Sequence, residues 1–551
     1  MKTSAPVRRA IAAAGASALV LLAACGGGSS APDTGLLSTT PAGGSQAADP
    51  STVVAARFAE DLRDDTVSSE TVQVDQGGTL VSGSVSYDSA EHEIRFAPAT
   101  PLEMLTSYQA SLSPSILTTD GQPIEPVTWH FRTRDGQWQD EDRLPAIVDQ
   151  PESREFGAHA YSPDGSLWAI WAEHDGAVGL WAALRTPAGW SEPSELARVY
   201  IENFDLVAST DLMPTMATNS RGAAVATWVY PKRDEFDSPR FDELWSAHWD
   251  GTAWSAPERI GSTTGRAYGA KVSLDDAGNA LVIWRQDYNE WPDRTPLLSQ
   301  RHVAGVGWEA PQELPGSQAS AYHWRLDAQP DGHALVTWSD QEVGRISTER
   351  FSPSAGWTDT STLDIPTVAS NIVARQRPDG SAAIAWTQTE SFGIASLWFA
   401  IQQSDGSWQT PAQLDADMER HDLAVGPSGE VRLAYSKLSG GGQVLTRRLP
   451  AGESDWLAPE QVASFPDSAT AVRMVLDHLG RGVMAIEQVR NDNSRRLWTS
   501  RLAEPTGDAW STPELAADAT YSLLDLVGGP FGRAVLVMEV DIDTIAGKRF
   551  E

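Results

Sequence analysis

Two long segments combine aromatic rings with guanidinium groups, VYPKRDEFDSPRFDE (229–243) and RQDYNEWPDRTP (285–296). They carry Tyr230, Lys232, Arg233, Phe236, Arg240, Tyr288, Trp291 and Arg294. A ring face stacks on the apolar C–H edge of a sugar, and an arginine fork bonds carboxylates or hydroxyls, so the mixture suits a glycan or a peptide. A second set, Tyr268, Tyr322, His323, Arg325, Arg420 and His421, stands where short β runs begin. A third set, Glu173, Gln286, Asp340 and Gln388, follows recurring aromatic residues by two positions. The competing reading is solvated loop decoration, with Trp291 folded onto its own sheet. Catalytic and metal signatures are missing: the chain has no HExxH, no GxSxG and no phosphate loop, its ten His stand singly, and its one Cys is Cys25. Asp234, Glu235, Asp237, Asp242 and Glu243 offer oxygen ligands of the kind Ca²⁺ takes, but without an ordered spacing they read as a charged loop. No catalytic residue, cofactor or metal is expected.

The elements that would position these residues repeat. A turn ending in Gly opens a β run in SPDGSLWAIW, NSRGAAVATW, DDAGNALVIW, QPDGHALVTW, RPDGSAAIAW, GPSGEVRLAY, DHLGRGVMAI and PFGRAVLVM. Pro presets φ, Asp bonds its own backbone, and Gly takes the left-handed conformation that reverses the strand. A second marker is Trp with Pro three residues on and an aliphatic residue six on, as in WSEPSEL, WSAPERI, WEAPQEL, WQTPAQL and WLAPEQV. Strands such as LWAALR and LWTSRL lie between the markers, giving four antiparallel strands per unit of about 50 residues, the size of a propeller blade. The aromatic residues that end the second strands (Trp171, Trp228, Trp284, Trp338, Trp386, Tyr435) are expected to form the core between blades.

Eight turn markers but only seven downstream Trp strands leave the last blade one strand short. QWQDEDRLPA (137–146), where Trp138 and Leu144 show the same six-residue spacing, supplies it. The expected fold is therefore all-β: an Ig-like β-sandwich followed by an eight-bladed β-propeller over 136–551, its last blade closed by the strand at 137–146. In propellers the first strand lines the axis, and the ends of the second strands share a face with the linkers between blades. The three residue sets above are assigned to that face.

The N-terminal 24 residues carry Lys2, Arg8 and Arg9, an apolar run from Ile11 to Leu22, and LAAC. This resembles a bacterial lipoprotein signal, which implies removal of residues 1–24, lipidation of Cys25 and attachment to the cell envelope, at the outer membrane or cell surface. The apolar run is too short to span a bilayer. Residues 25–50, rich in Gly, Ser, Ala, Thr and Pro, read as the lipidated Cys and a flexible linker. The alternating runs TVQV, SGSVSYD, YQASL and TWHFRT between 51 and 134 resemble an SbsA-type bacterial Ig-like domain, which implies a spacer or adhesion module.

The repeat region resembles sialidase-like and WD-like propellers. DRLPA around Arg143 is similar to the Arg-Ile-Pro motif of bacterial sialidases, but the repeat places Arg143 where other copies have Glu195, Arg259 and Glu313. The turn also lacks one residue of the sialidase Asp-box and joins a different pair of strands. A formal charge of −33 argues against nucleic acid and anionic lipid heads as partners. The expectation is a lipid-anchored, non-catalytic binding or adhesion protein whose propeller takes a glycan or a protein, with Tyr230, Arg233, Arg240, Tyr288, Trp291, Arg294, Tyr322, His323, Arg325 and Arg420 as ligand contacts. The alternatives are a sialidase-like glycoside hydrolase and an outer-membrane assembly scaffold.

Overall fold

Val127–Arg132 (VTWHFR) and Ser107–Leu112 (SYQASL) bury every second side chain, as strands with one face on a core must. They belong to the first domain of a computed structural model that describes residues 35–147, 153–174, 177–200, 212–232, 241–262, 264–288, 295–317, 321–340, 343–389, 395–437, 441–519, 522–541 and 544–551. Strands dominate these residues, and no helix among them is long and apolar enough to cross a membrane. Cys25 and the proposed signal lie outside the described residues.

The first domain is a sandwich of two four-stranded sheets. One holds Leu36–Thr40, Val54–Phe58, Glu93–Pro98 and Gly83–Asp88; the other holds Thr79–Leu80, Val72–Gln76, Ser107–Leu112 and Val127–Arg132. Val74, Ile94, Phe96, Tyr108, Ile116 and Phe131 fill the space between them. The linker expected to run to Pro50 ends earlier, because Leu36–Thr40 pairs with Val54–Phe58 and the Ala48 amide donates to Arg132 O at 3.0 Å. Backbone hydrogen bonds hold this segment. Leu37 is 64% exposed, so composition gave little sign of it.

Beyond Arg134 the described chain forms eight antiparallel units of four or five strands, the second and third joined into one sheet by a single parallel pairing, Asp242↔Arg266. Each begins with an inner strand and reverses at the marker glycine. Gly332 is representative: φ is +87°, its amide donates to Gln329 O at 2.9 Å, and Asp331 Oδ1 accepts the His333 amide at 3.0 Å. A Cβ at this φ is strained, so the residue type is dictated by the turn.

Aromatic burial joins the units. Trp171, Trp284, Trp386 and Tyr435 have no exposed surface, and Trp228 and Trp338 are nearly as buried. The outer Trp residues reach across to another unit. Trp357 Nε1 donates to Ser299 Oγ at 2.9 Å, Trp408 Nε1 to Ser361 Oγ at 2.9 Å, and Trp190 Nε1 to Asp142 Oδ1 at 3.0 Å. The last of these matters most, since Asp142 lies in Trp138–Arg143, the strand that completes the eighth unit by pairing with Thr544–Phe550.

Side-chain and backbone contacts hold this strand in the last unit. Trp138 faces Phe550 with ring centroids 5.4 Å apart, and Gln137 and Glu551 exchange backbone hydrogen bonds at 2.9 and 3.1 Å. Arg501 lies 5.0 Å over the Phe550 ring. Gly136 is required here, for a Cβ would come within 2.5 Å of that ring. Leu144, Val535, Val537 and Ile545 share a core with Leu167, Ala169 and Trp171, so the last unit packs on the first.

Phe550→Ala should therefore cost about 3–4 kcal/mol. Urea unfolding checks this, and an unchanged midpoint would deny the closing strand its structural role.

Candidate functional site

An inner strand has one edge paired within its sheet and one edge turned to the axis, so its side chains and free amides define what the axis can hold. Its register is common to the units. Seven places before each marker glycine stand Ala158, Thr215, Lys271, Arg325, Val373, Asp422, Arg473 and Asp525. Each pairs with the residue five places after that glycine: Ile170, Thr227, Ile283, Thr337, Ala385, Ala434, Ala485 and Val537. These eight residues form one rung around the axis.

A recurrent β-bulge sits just ahead of this rung. The register shifts between Tyr268 and Lys271, Tyr322 and Arg325, Ser370 and Val373, and Met418 and His421. In three units the bulge holds a left-handed residue at the same offset, Gly269 (φ +60°), His323 (φ +47°) and Asn371 (φ +49°). These types tolerate that conformation best. A bulge bends and twists its strand, which re-aims the side chains that follow.

The inner strands enclose a cavity of about 1350 Å³ that extends to the end bearing the glycine turns, where Pro163, Pro330, Pro378, Pro427 and Pro530 line it. Lys271, Asp327, Arg375, Gln376, Asp477 and His478 supply polar groups. The sequence reading favoured the opposite face, where the long loops between second and third strands emerge. The described cavity opens away from them.

Three axial carboxylates accept inner-strand amides, and two of them, Asp422 and Asp327, tie neighbouring inner strands together. Asp422 Oδ2 accepts the Met474 amide at 2.9 Å, while its Oδ1 accepts that of Leu423 at 2.9 Å. Asp327 Oδ2 accepts the Gln376 amide at 2.7 Å, and Asp525 Oδ1 accepts that of Leu526 at 2.8 Å. An edge amide without a partner in a half-buried channel would be costly, so these acids serve the fold. Burial holds the Asp327 and Asp525 carboxyls above their usual range, against the pull of nearby cations.

The cations behave differently. Arg325 Nη1 donates only to Trp324 O at 3.0 Å, Arg375 Nη1 to Ala374 O at 2.9 Å, and Arg473 Nη1 to Val472 O at 3.0 Å. Lys271 Nζ sits 5.6 Å from the centroid of the Trp324 ring. Burial lowers Arg325, and Arg375 and Arg473 lower it further; Lys271 is lowered by burial and by Arg325 and Arg375.

The candidates from sequence scatter. Arg325 reaches the axial rung. His323 and Arg420 are exposed at the strand entrances, and Arg420 Nη1 donates to Glu419 O at 3.0 Å. Tyr322 is paired through its backbone with Ser339, and its side chain lies outside the described set. Tyr230 is half-buried against Trp245, with centroids 6.3 Å apart, and the Tyr288 hydroxyl donates to Glu313 Oε1 at 3.2 Å. Arg233, Arg240, Trp291 and Arg294 lie outside the described residues, as do Phe236 and the acidic positions 234, 235 and 237.

Glu173, Gln286 and Gln388 are buried structural clamps rather than surface contacts. Glu173 and Gln286 accept the indole N–H of Trp171 and Trp284 at 3.3 and 2.8 Å, and Gln388 Nε2 donates to Thr367 O at 3.2 Å. Arg143 pairs with Glu141 at 3.0 Å on the outermost strand of its sheet. Among the described residues no group of three or more His, Cys, Asp or Glu is placed to hold a metal.

Lys271, Arg375 and Arg473 escaped the sequence reading. The shared offset of Lys271, Arg325 and Arg473 from their turn glycines, and the Gly, His or Asn two places earlier in three units, was the available signal.

Residues 30–133 match the model of a bacterial Ig-like domain. No curated protein matches the chain in sequence. Solved structures similar to it include the NanB sialidase from Streptococcus pneumoniae, at 9% identity over 63% of this chain and 91% of that one with a TM-score of 0.32. An ulvan lyase of polysaccharide lyase family PL25 is 10% identical, covers 73% and 94%, and has a TM-score of 0.38. AofleA from Arthrobotrys oligospora is 13% identical, covers 60% and 91%, and has a TM-score of 0.31. Backbone likeness at this level says nothing about ligand or chemistry.

His421 adjoins the axis and is 5% exposed. Burial, aided by Arg325, Arg473 and Arg420, holds its imidazole down to about 4. An unfolded histidine titrates near ~6.5, so the unfolded chain binds more protons between these values and stability falls as pH drops through that window. Asp327 and Asp525, raised by burial, act in the opposite sense, so the comparison must be with a variant. His421→Gln should reduce the loss of stability on acidification by about 2 kcal/mol, measured as urea midpoints across the window.

Proposed function

We propose that this protein is a lipid-anchored component of the cell envelope and a non-catalytic binding module whose propeller holds a glycan in the axial cavity. The observation that carries the reading is the cavity itself, of about 1350 Å³ and walled by the inner strands of the repeat. Its scale suits a ligand larger than a typical cofactor.

A glycan is favoured over a folded partner by the character of the walls. Protein interfaces concentrate affinity in large apolar anchors, whereas none of the large exposed hydrophobics, such as Val306, Leu457 and Leu515, lines the cavity. Polar side chains and turn backbone line it together with aliphatic residues such as Val272, Leu326 and Val475, a mixed wall that suits the hydroxyls and C–H faces of a sugar. Glycoside hydrolysis needs two carboxyl groups that flank the scissile bond. The three axial acids are each engaged with strand amides, which supports binding without turnover.

Attachment through Cys25 rests on the N-terminal sequence. The Ig-like domain acts as the spacer between that anchor and the propeller, and it is fastened to the propeller through Arg481, whose guanidinium contacts Glu103 and Asp477 at 3.2 and 2.7 Å.

Probed against a broad panel of immobilised glycans and peptides, the protein should retain glycans and release them chemically unchanged. Shortened products would replace binding with catalysis, and retention of peptides alone would reverse the choice of ligand. In cells fed labelled palmitate, the wild-type chain should take up label in the membrane fraction and Cys25→Ser should not. Equal labelling would remove the anchor.

A further inference from the structure

The axial rung has a charge pattern that the fold does not require. Three of its eight positions carry Ala, Thr or Val and two carry Asp, so a cation there is not needed to build a unit. Yet Lys271, Arg325 and Arg473 share that rung, and Arg375 stands two residues closer to the turns. Lys271 and Arg375 line the cavity. None of the four forms an ion pair among the described residues. The three arginines each donate one hydrogen bond to the carbonyl preceding them and keep most of their donors for something else.

Gathering like charges in a partly desolvated channel is unfavourable; Asp422 and Asp525 on the same rung and Asp327 beside it offset part of that cost without closing an ion pair with any of the four. Asp327, Asp422 and Asp525 direct oxygens at strand amides. Lys271 and Arg375 in the cavity wall, with Arg325 and Arg473 on the same rung and all four outside any ion pair among the described residues, match the demand of an oxyanion, which a guanidinium fork binds with paired charge-assisted hydrogen bonds.

We propose that Lys271, Arg325, Arg375 and Arg473 form an anion-binding site for the carboxylate or sulfate groups of an acidic polysaccharide. The inference rests on the reading of the axial cavity as a glycan site and narrows it to a charged class. The excess of acid on the protein's outside does not oppose this, since at physiological salt charges are screened over about 8 Å and the groups inside the channel dominate there.

The test uses the full-length chain in mild detergent, with binding followed by calorimetry and by thermal shift. The probes are polygalacturonate, sulfated dextran, unsubstituted dextran and polyglutamate. Polygalacturonate or sulfated dextran should bind and raise the melting temperature, and the one bound more tightly assigns carboxylate or sulfate. Added salt should weaken binding. Arg325→Gln and Arg473→Gln should each weaken it about tenfold to a hundredfold while melting, without ligand, no lower than wild type, because each relieves repulsion.

Thr215→Glu adds a carboxylate to the same rung in place of a side chain that makes no hydrogen bond among the described residues. It should weaken binding too, and it keeps the test decisive if an arginine variant fails to fold. Undiminished binding by these variants would overturn the proposal. Equal binding of unsubstituted dextran would overturn the anionic class and leave the glycan site standing, while polyglutamate bound as tightly as the polysaccharides would overturn the glycan carrier. Silence from all four polymers would remove the anion site; the glycan reading falls only if the broad panel is silent as well.

Discussion

The antiparallel pairing of Trp138–Arg143 with Thr544–Phe550 is the constraint on which the propeller depends. Joining segments separated by ~400 residues costs about 5 kcal/mol in chain entropy beyond a constant term. The return is cooperative. Phe550 is buried against Trp138, Asp142 accepts the Trp190 indole, and the core shared by Val535, Val537, Leu167 and Trp171 becomes continuous. Without the closing strand, the eighth sheet would expose a free edge, which invites pairing with other chains. The position of every inner strand around the axis follows from this ring, and so does the rung of eight equivalent residues.

Closure creates a second problem at the centre. Each inner strand turns one edge to the axis, and its amides have no sheet partner there. Asp327 and Asp422 answer it by reaching to Gln376 and Met474 on the next unit's inner strand, 49 and 52 residues on. Acids used in this way stabilise the ring at the cost of desolvation, and burial pushes Asp327 and Asp525 upward. The basic residues have no comparable structural employment. They face Asp422 and Asp525 on the rung without forming ion pairs, the kind of incompletely satisfied arrangement that functional sites tolerate.

The fold was largely legible in the sequence because it is written repeatedly. Eight turn glycines, the buried aromatic residues of the second strands and the spacing from Trp138 to Leu144 each follow from a local physical demand, and each recurs. The edge strand Leu36–Thr40 was not legible, since backbone pairing holds it and its Leu37 is exposed. The site was less legible for a related reason. Loop aromatics such as Trp291 draw attention by type, whereas Lys271 and Arg473 look like isolated surface cations until the strands are brought into register. Glu173 and Gln286 misled in the other direction: two places beyond a buried Trp, a polar residue reaches back to the indole N–H rather than out to solvent.

The Ig-like domain also bears on the cavity. Arg481, 3% exposed in its side chain, bonds Asp477 and Glu103 and donates to Met104 O. Burial holds the Glu103 carboxyl above its ordinary range, against the pull of His478 and Arg481. Removing one member of such a cluster leaves an uncompensated buried charge, which is far costlier than the net worth of the pair, so the cluster fixes one docking geometry. Asp477 and His478 line the cavity as well, and His478 lies 3.6 Å from Glu103. The domain that precedes the propeller in the chain is seated beside the turn of the seventh unit, next to residues that line the axial opening. The ionic cluster that fixes the two domains thus shares Asp477 and His478 with the wall of the axial cavity.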